Sequence, residues 1–430
     1  MQTQDLRIAL FSGNYNYVRD GANQALNRLV AYLLRQGAAV RVYSPTVAQP
    51  AFEPAGDLVS LPSIAIPGRP EYRLPLRLSG RIKADLEAFA PNIVHISSPD
   101  RVARQARKWA ANRDLPVLAS VHTRFETYFR YYNMSFVEPL IEAWLRKLYR
   151  RCDALVAPSE SMAQVLREQR MNYDIDIWSR GVDREIFDPA RRDLAWRQKH
   201  GIADATPVIG FLGRLVMEKG LDVFSDTIDQ LKRRGVDHDV LVVGEGPARE
   251  WFESRLPGAH FVGFQGGADL ARAIASMDML FNPSVTETFG NVTLEAMACG
   301  RPVVAADATG SDSLVSDGKS GRLIRPGAIG QYADALAAYC ADPALRSACS
   351  PELLAHRDFV EYFSYAAEMI VLCMRDDQVV DARNVKTPQR GHHDQQRVEE
   401  EGDDAPTMRR AVEARHACAN GTNACRSCWQ

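Results

Sequence analysis

The stretch Glu287 to Gly300, ETFGNVTLEAMACG, sets two carboxylates eight positions apart around a Phe-Gly-Asn turn. It follows the apolar run DMLFNPS and precedes RPVVAAD, so Glu287 falls in a strand-to-helix loop and Glu295 on a helix that stops at Gly300. The free N–H groups of such a helix start, near Gly290 and Asn291, favour an anion. A glutamate beside them therefore suits a different partner, and sugar hydroxyls, which donate to carboxylates, meet that requirement. The plainer alternative is a carboxylate at a helix N-terminus plus one surface glutamate.

Two further loops carry charge or close-approach residues. GRLVMEKG places Arg214 and Lys219 five apart between Gly213 and Gly220, after the strand-like PVIGFL, and two cations at one strand end suit a diphosphate. By themselves they could equally be solvated surface charges. VVGEGPARE ends another apolar run with Gly244 and Gly246, which permit close backbone approach, and Pro247 can open a helix. A nucleoside edge could lie there, although a simple turn reads the same way. No G-x-G-x-x-G opens any helix, which argues against a nicotinamide or flavin oxidoreductase.

The elements needed to hold these loops are short apolar runs alternating with amphipathic segments. RIALFS, AAVRVYS, IVHISS, VLASVHT and ALVAPS form a first series. PVIGFL, DVLVV, HFVGF, DMLFNPS, RPVVAAD and SGRLIRP form a second. Parallel strands joined by crossover helices produce this rhythm. The polar stretch DPARRDLAWRQKHGIADAT, Asp188 to Thr206, separates the two series. The expected fold is α/β with two facing Rossmann-like domains, residues 1–188 and 189–357, then a C-terminal helix 358–375. Residues 376–430 hold only five Leu, Ile, Val or Phe, so they are expected to be disordered. Their His416, Cys418, Cys425 and Cys428 match no standard zinc spacing well, and an unstructured tail is expected rather than a metal site.

At 430 residues with 46% hydrophobic and 25% charged side chains, the chain is ordinary for a globular protein, and no run approaches the ~18 apolar residues of a membrane span. The N-terminus has no basic leader, so a cytoplasmic location is expected, and the dispersed cysteines read as buried, reduced thiols. The net charge of −2 hides an asymmetry. Residues 1–180 carry 24 Lys and Arg against 17 Asp and Glu, or +7, leaving −9 for the remainder.

Taken together, the E-x(7)-E segment, GRLVMEKG, VVGEGPARE, PSESMA from Pro158 and SRGVDREIF from Ser179 resemble, in the same order, the retaining family 4 glycosyltransferases of the GT-B fold. The resemblance covers roughly residues 6–375. It implies that Arg214 and Lys219 bind the diphosphate of a nucleotide-sugar donor, that Glu287 contacts the donor sugar and Glu295 the nucleotide ribose, and that Phe289, Gly290 and Asn291 belong to the same donor loop. His122, in SVHTRFETYFRYY, matches the family's histidine beside the reacting sugar. Gly21 matches its glycine-bearing first loop, which here departs in having Ser12–Gly13 where the family has a glycine pair. Within the family the motifs look most like bacterial GDP-mannose-dependent mannosyltransferases that act on lipid-linked sugars, with sulfoquinovosyl diacylglycerol synthases close behind. No cofactor, metal or nucleic acid is expected. Rivals of other classes are a noncatalytic nucleotide-sugar-binding protein and a phosphorylase, which would need a pyridoxal phosphate lysine.

The acceptor is expected to be lipid-linked and the basic half to rest on an anionic membrane surface. MSFVEPLIEAWLRKLYRR carries an apolar stripe of Val137, Ile141, Trp144, Leu145 and Leu148, with Arg146, Lys147, Arg150 and Arg151 at its end. The same stripe could instead pack against the sheet.

Overall fold

Strands buried on both faces need apolar side chains at successive positions, which is why the runs above lack a strict polar alternation. The computed structural model describes residues 2–18, 20–66, 69–124, 135–348 and Ile370. All of these lie in the unit Met1–Asp377. The first half contains β1 (Arg7–Phe11), β2 (Ala39–Ser44), β3 (Asp57–Ser60), β4 (Ser63–Ile66), β5 (Arg69–Pro75), β6 (Ile93–Ile96), β7 (Val117–Ser120), β8 (Ala154–Ala157) and β9 (Ile175–Ile177). The second contains β10 (Val208–Leu212), β11 (Asp239–Val243), β12 (His260–Phe261), β13 (Met279–Asn282), β14 (Val303–Ala306) and β15 (Gly321–Ile324).

Seven strands of the first half form a parallel sheet in the order β3-β2-β1-β6-β7-β8-β9, and the second half forms a six-stranded parallel sheet, β12-β11-β10-β13-β14-β15. Both are doubly wound, with the order reversing beside β1 and beside β10. Loops at the carboxyl ends of these strands are where such sheets bind ligands. The central strands β6, β7, β8, β13 and β14 are buried along their whole length.

The second core is built around stacked and edge-on rings of Phe211, Phe224, Phe252, Phe281 and Tyr332. The first is mainly aliphatic and small, and Ile370, helical and buried, joins its cluster with Leu6, Leu26 and Leu29. The polar stretch between the halves is firmly anchored. Arg192 and Arg197 donate to the two oxygens of Asp278 at 2.9 and 3.2 Å, and the fully buried Arg197 also donates to the carbonyls of Ala203 and Thr206 at 2.7 Å. The carboxylate and two carbonyls compensate the two Nη groups of this buried guanidinium, while its Nε has no partner among the described residues; removing Asp278 would leave the charge uncompensated.

Four strands were not foreseen from the apolar pattern. β3 (DLVS) and β9 (IDI) are edge strands too short, and too interrupted by aspartate, to stand out as apolar runs. β4 and β5 pair only with each other, antiparallel, as a hairpin outside the main sheet. The apolar stripe of the helix Glu138–Tyr149 faces the protein: Leu145 and Leu148 are 3% exposed, with Ile141 and Trp144 packed against the same core. Phe136 and Leu140, at 75% and 70% exposure, are the large apolar side chains left outside. Most of the motif SVHTRFETYFRYY, the expected helix 358–375 apart from Ile370, the tail 376–430 and its His416, Cys418, Cys425 and Cys428 lie outside the described residues. Cys152, Cys299 and Cys340 are buried free thiols.

Candidate functional site

The expected donor residues converge on neighbouring strand ends of the second sheet. After β10 the chain turns at Gly213 and runs through Arg214 into the single turn Met217–Lys219. Gly220, with φ 72°, then redirects it into the helix Leu221–Arg233. After β13 comes the loop that holds Glu287. Lys219 Nζ meets Glu287 Oε1 at 2.5 Å, so the cation and the carboxylate are paired directly.

Arg214 is held from the opposite half. Its Nη1 donates to the Tyr72 hydroxyl at 2.7 Å, and Nη2 lies 3.9 Å from Glu71, both on β5. The β4–β5 hairpin thus reaches across to Arg214. A lone tyrosine between Glu71 and Arg73 carries no periodic signal, so local pattern does not mark Tyr72.

Gly290 has φ 92° and ψ 52° and opens the helix Asn291–Ala298 without any side-chain cap. Its first N–H groups are therefore left for an anion. Phe289, expected in the donor loop, is 3% exposed and belongs to the second core, where it anchors the loop from below. Glu295 sits one turn into that helix. Burial drives its carboxyl up to about 7, opposed by Arg28. A carboxylate kept this close to neutrality gains most when hydroxyl donors reach it.

The glycines divide by what surrounds them. A Cβ on Gly244 would stand 1.9 Å from the Gly213 carbonyl oxygen, and one on Gly246 would stand 2.4 Å from that of Leu215. Close packing of the protein's own loops is thus enough to require glycine at both, and a nucleoside edge need not be invoked for it. Gly21, the first residue of the helix Gly21–Arg35, is different: a Cβ there would meet the Asn291 amide nitrogen at 2.2 Å, across the two halves. Its small size lets the halves approach.

His122 follows β7. Its carbonyl accepts from Thr288 Oγ1 at 2.6 Å, and Thr288 in turn offers its carbonyl to Ser159 Oγ at 2.8 Å. The donor loop is therefore stitched to two strand ends of the first sheet. A second stitch runs from Ser161 Oγ, which accepts from the Gly310 N–H at 3.2 Å and from Ser313 Oγ at 2.8 Å. Between the halves lies Arg180, whose guanidinium touches Asn291 Oδ1 and His122 Nδ1, each at 3.3 Å, and lies 5.9 Å from the Phe289 ring centre. Burial lowers its pKa to about 10, countered by Asp20 and Glu287. Arg180 stands in SRGVDREIF with no local feature to single it out; an arginine two residues after Trp178, where the short strand β9 has just ended, is the signal that marks it.

The arrangement can hold an anion between Arg214, Lys219 and a free helix start, with carboxylates beside it for hydroxyls. Among the described residues no group of three or more His, Cys, Asp or Glu could hold a metal ion, and no helix is long and apolar enough to cross a membrane.

Both halves of the chain match families of known proteins. Residues 206–342 match the family model described as glycosyl transferases group 1, and residues 19–186 match that of glycosyltransferase family 4. A GDP-mannose-dependent alpha-mannosyltransferase of Mycolicibacterium smegmatis is 31% identical over 331 residues, covering 74% of this chain and 84% of that protein. A sulfoquinovosyl transferase of Arabidopsis thaliana is 30% identical over 75% of this chain and 64% of its own. Among solved structures, the sucrose-phosphate synthase of Thermosynechococcus elongatus superposes with a TM-score of 0.69 at 18% identity, covering 85% of this chain and 98% of that one. The chain belongs to glycosyltransferase family 4 and has the GT-B fold. It is a retaining glycosyltransferase, of a family that typically binds nucleotide-sugar donors.

Proposed function

We propose that the protein transfers mannose from GDP-mannose to a lipid-linked or glycolipid acceptor, with Arg214 and Lys219 on the diphosphate, Glu287 on the sugar and Glu295 on the ribose. The observation that carries this reading is the convergence of Lys219, Glu287 and the uncapped helix start at Gly290 on neighbouring strand ends. The likeness to GDP-mannose-dependent mannosyltransferases over most of their length supports the choice of donor.

The leaving group is a nucleoside diphosphate, so the protein's main task is to stabilise charge developing on the bridging oxygen. Arg214, Lys219 and the N–H groups after Gly290 supply fixed positive potential there, which costs no reorganisation during the reaction. The acceptor hydroxyl attacks from the face the diphosphate leaves, and a departing phosphate oxygen takes its proton. Configuration is thereby retained without a protein nucleophile. These cations do the work a divalent metal would otherwise do, so activity is expected to survive EDTA; loss in chelator with rescue by manganese would overturn that.

Membrane association is supported by the +7 balance of residues 1–180 and by exposed Phe136 and Leu140 at the start of the helix Glu138–Tyr149. Each cation near an anionic surface contributes about 1 kcal/mol, screened by salt. In this reading attachment uses a face different from the buried stripe.

A panel of nucleotide sugars tests the proposal by thermal stabilisation, followed by transfer of radiolabelled sugar to a lipid extract. The expected result is stabilisation and transfer with GDP-mannose. Preference for a UDP-sugar with diacylglycerol as acceptor would favour the second reading, which the plant sulfoquinovosyl transferase supports. Binding without transfer to any acceptor would favour a noncatalytic binder.

A further inference from the structure

The half-buried histidine at the end of β7 is held on three sides. Its carbonyl is fixed by Thr288, its ring packs edge-on against the buried Trp178 at 5.2 Å, and its Nδ1 lies 3.3 Å from Arg180 Nη2. Trp178 and Arg180 both come from the segment leaving β9, which is pinned where the Trp178 N–H donates to the Ala157 carbonyl at 2.8 Å. The guanidinium itself is clamped on its other side by Asn291 Oδ1 at 3.3 Å.

A guanidinium has donors only. Its contact with Nδ1 therefore requires a lone pair on that nitrogen, and a neutral ring then carries its proton on Nε2. That Nε2 is shielded from solvent and has no hydrogen-bond partner among the described residues. A buried donor with no acceptor is costly, so an acceptor that arrives with a ligand is its natural complement.

We propose that Arg180 is a positioning residue that fixes His122 as the neutral Nε2–H tautomer, so that Nε2 donates to a hydroxyl oxygen of the glycosyl group being transferred. The ligand half of this statement rests on the proposed place of His122 beside the reacting sugar; the tautomer half stands on the geometry alone. The groups facing the ring are Arg180 and, from β6, His95, which is itself buried and paired with Ser120 Oγ at 2.9 Å. Asp20 and Glu287 face the guanidinium, keeping it charged while it disfavours a second positive charge on the ring. Desolvation acts in the same direction, so His122 titrates well below an ordinary histidine. The imidazole thus stays a neutral donor across the pH range in which a free histidine would change charge.

The test is long-range 1H–15N correlation of histidine-labelled full-length protein, with the His122 signals assigned by their loss in His122→Gln. Wild type is expected to show neutral Nε2–H at pH 6 to 8 without donor. Either the Nδ1–H form or an imidazolium at pH 7 in wild type overturns the proposal, without recourse to any variant. Arg180→Met should shift the ring to a tautomer mixture or a protonated form at pH 6 and add an acid limb to the rate profile. It should also lower kcat about 100-fold, the scale of a misplaced contact, with donor KM changed little. Arg180→Lys keeps a donor and should retain Nε2–H and most of kcat. An unaltered Nε2–H signal in Arg180→Met would also overturn the proposal. Wild-type turnover in His122→Gln, with the tautomer as expected, would instead defeat the placement of His122 at the sugar and leave the Arg180–His122 pair intact.

Discussion

The two halves are both doubly wound parallel sheets, yet they contribute to the cleft in different ways. In the second half, the loops after β10, β11 and β13 carry Arg214 and Lys219, the tightly packed Gly244 and Gly246, and Glu287, the residues proposed to grip the donor. In the first half the contributions are single side chains from scattered places: Gly21 after β1, Tyr72 on the hairpin, His122 after β7, the serines after β8 and Arg180 after β9. The donor side is thus a set of contiguous motifs, whereas the other side supplies individual contacts that close onto it. A site built of contiguous loops is hard to vary; one built of separate side chains can change acceptor while keeping the same donor grip.

The largest expected effect tests the donor grip. Lys219→Ala or Glu287→Ala should cut turnover roughly 100- to 1000-fold, about 2.7 to 4 kcal/mol of lost stabilisation, with the fold intact by circular dichroism. Near wild-type rates in both would dissolve the distinction between the halves.

Stability should separate the halves next. Gly244 has φ 143° and no room for a Cβ beside the Gly213 oxygen, so Gly244→Ala is expected to cost about 3 kcal/mol or more. Gly80, on the other half, opens the helix Gly80–Phe89 with nothing within 4 Å of an added Cβ, so Gly80→Ala should change stability by about 1 kcal/mol or less. Urea denaturation of both variants measures the difference, and equal losses would contradict it.

A pH dependence follows from Glu295, whose carboxyl is raised from 4.5 to about 7. A raised carboxyl means that the folded protein holds a proton the unfolded chain has released. Its contribution to stability is therefore present below pH 4.5 and lost as pH rises to 7. Donor binding through ribose hydroxyls needs the ionised form, so affinity should increase roughly tenfold between pH 6 and 8. Isothermal titration with Glu295→Gln should remove that slope; a slope that persists would assign it elsewhere.

The smallest effect concerns the hairpin. Tyr72→Phe removes the hydroxyl that orients Arg214, and a single hydrogen bond of about 0.5 to 1 kcal/mol predicts a two- to fivefold rise in donor KM. Tighter donor binding would mean that the hairpin competes with the diphosphate instead of orienting its partner.

Much of this architecture was legible from local pattern. Eleven of the strands announce themselves as apolar runs, most plainly the central ones, because a parallel strand buried on both faces must be apolar throughout. The donor motifs are legible for a related reason: each is one loop between a strand and a helix, so the residues that act together are close in the chain. Arg214 with Lys219, and Glu287 with Gly290, needed no fold to be seen as pairs.

What local pattern could not supply is everything made by distant segments meeting. The hairpin's Tyr72 is 142 residues from Arg214, Arg180 is 58 from His122 and 111 from Asn291, and Thr288 is 166 from the carbonyl it bonds. The apolar stripe of the helix Glu138–Tyr149 has the same period whether it faces a sheet or a lipid surface, and only packing decided for the sheet. The amino-acid order sufficed for two parallel sheets and for the family, because both are encoded in short contiguous stretches. Which side chains close the cleft, which tautomer His122 adopts and which apolar residues stay exposed were decided by tertiary structure. Those properties depend on neighbours brought together by the fold, and no periodicity along the chain records them.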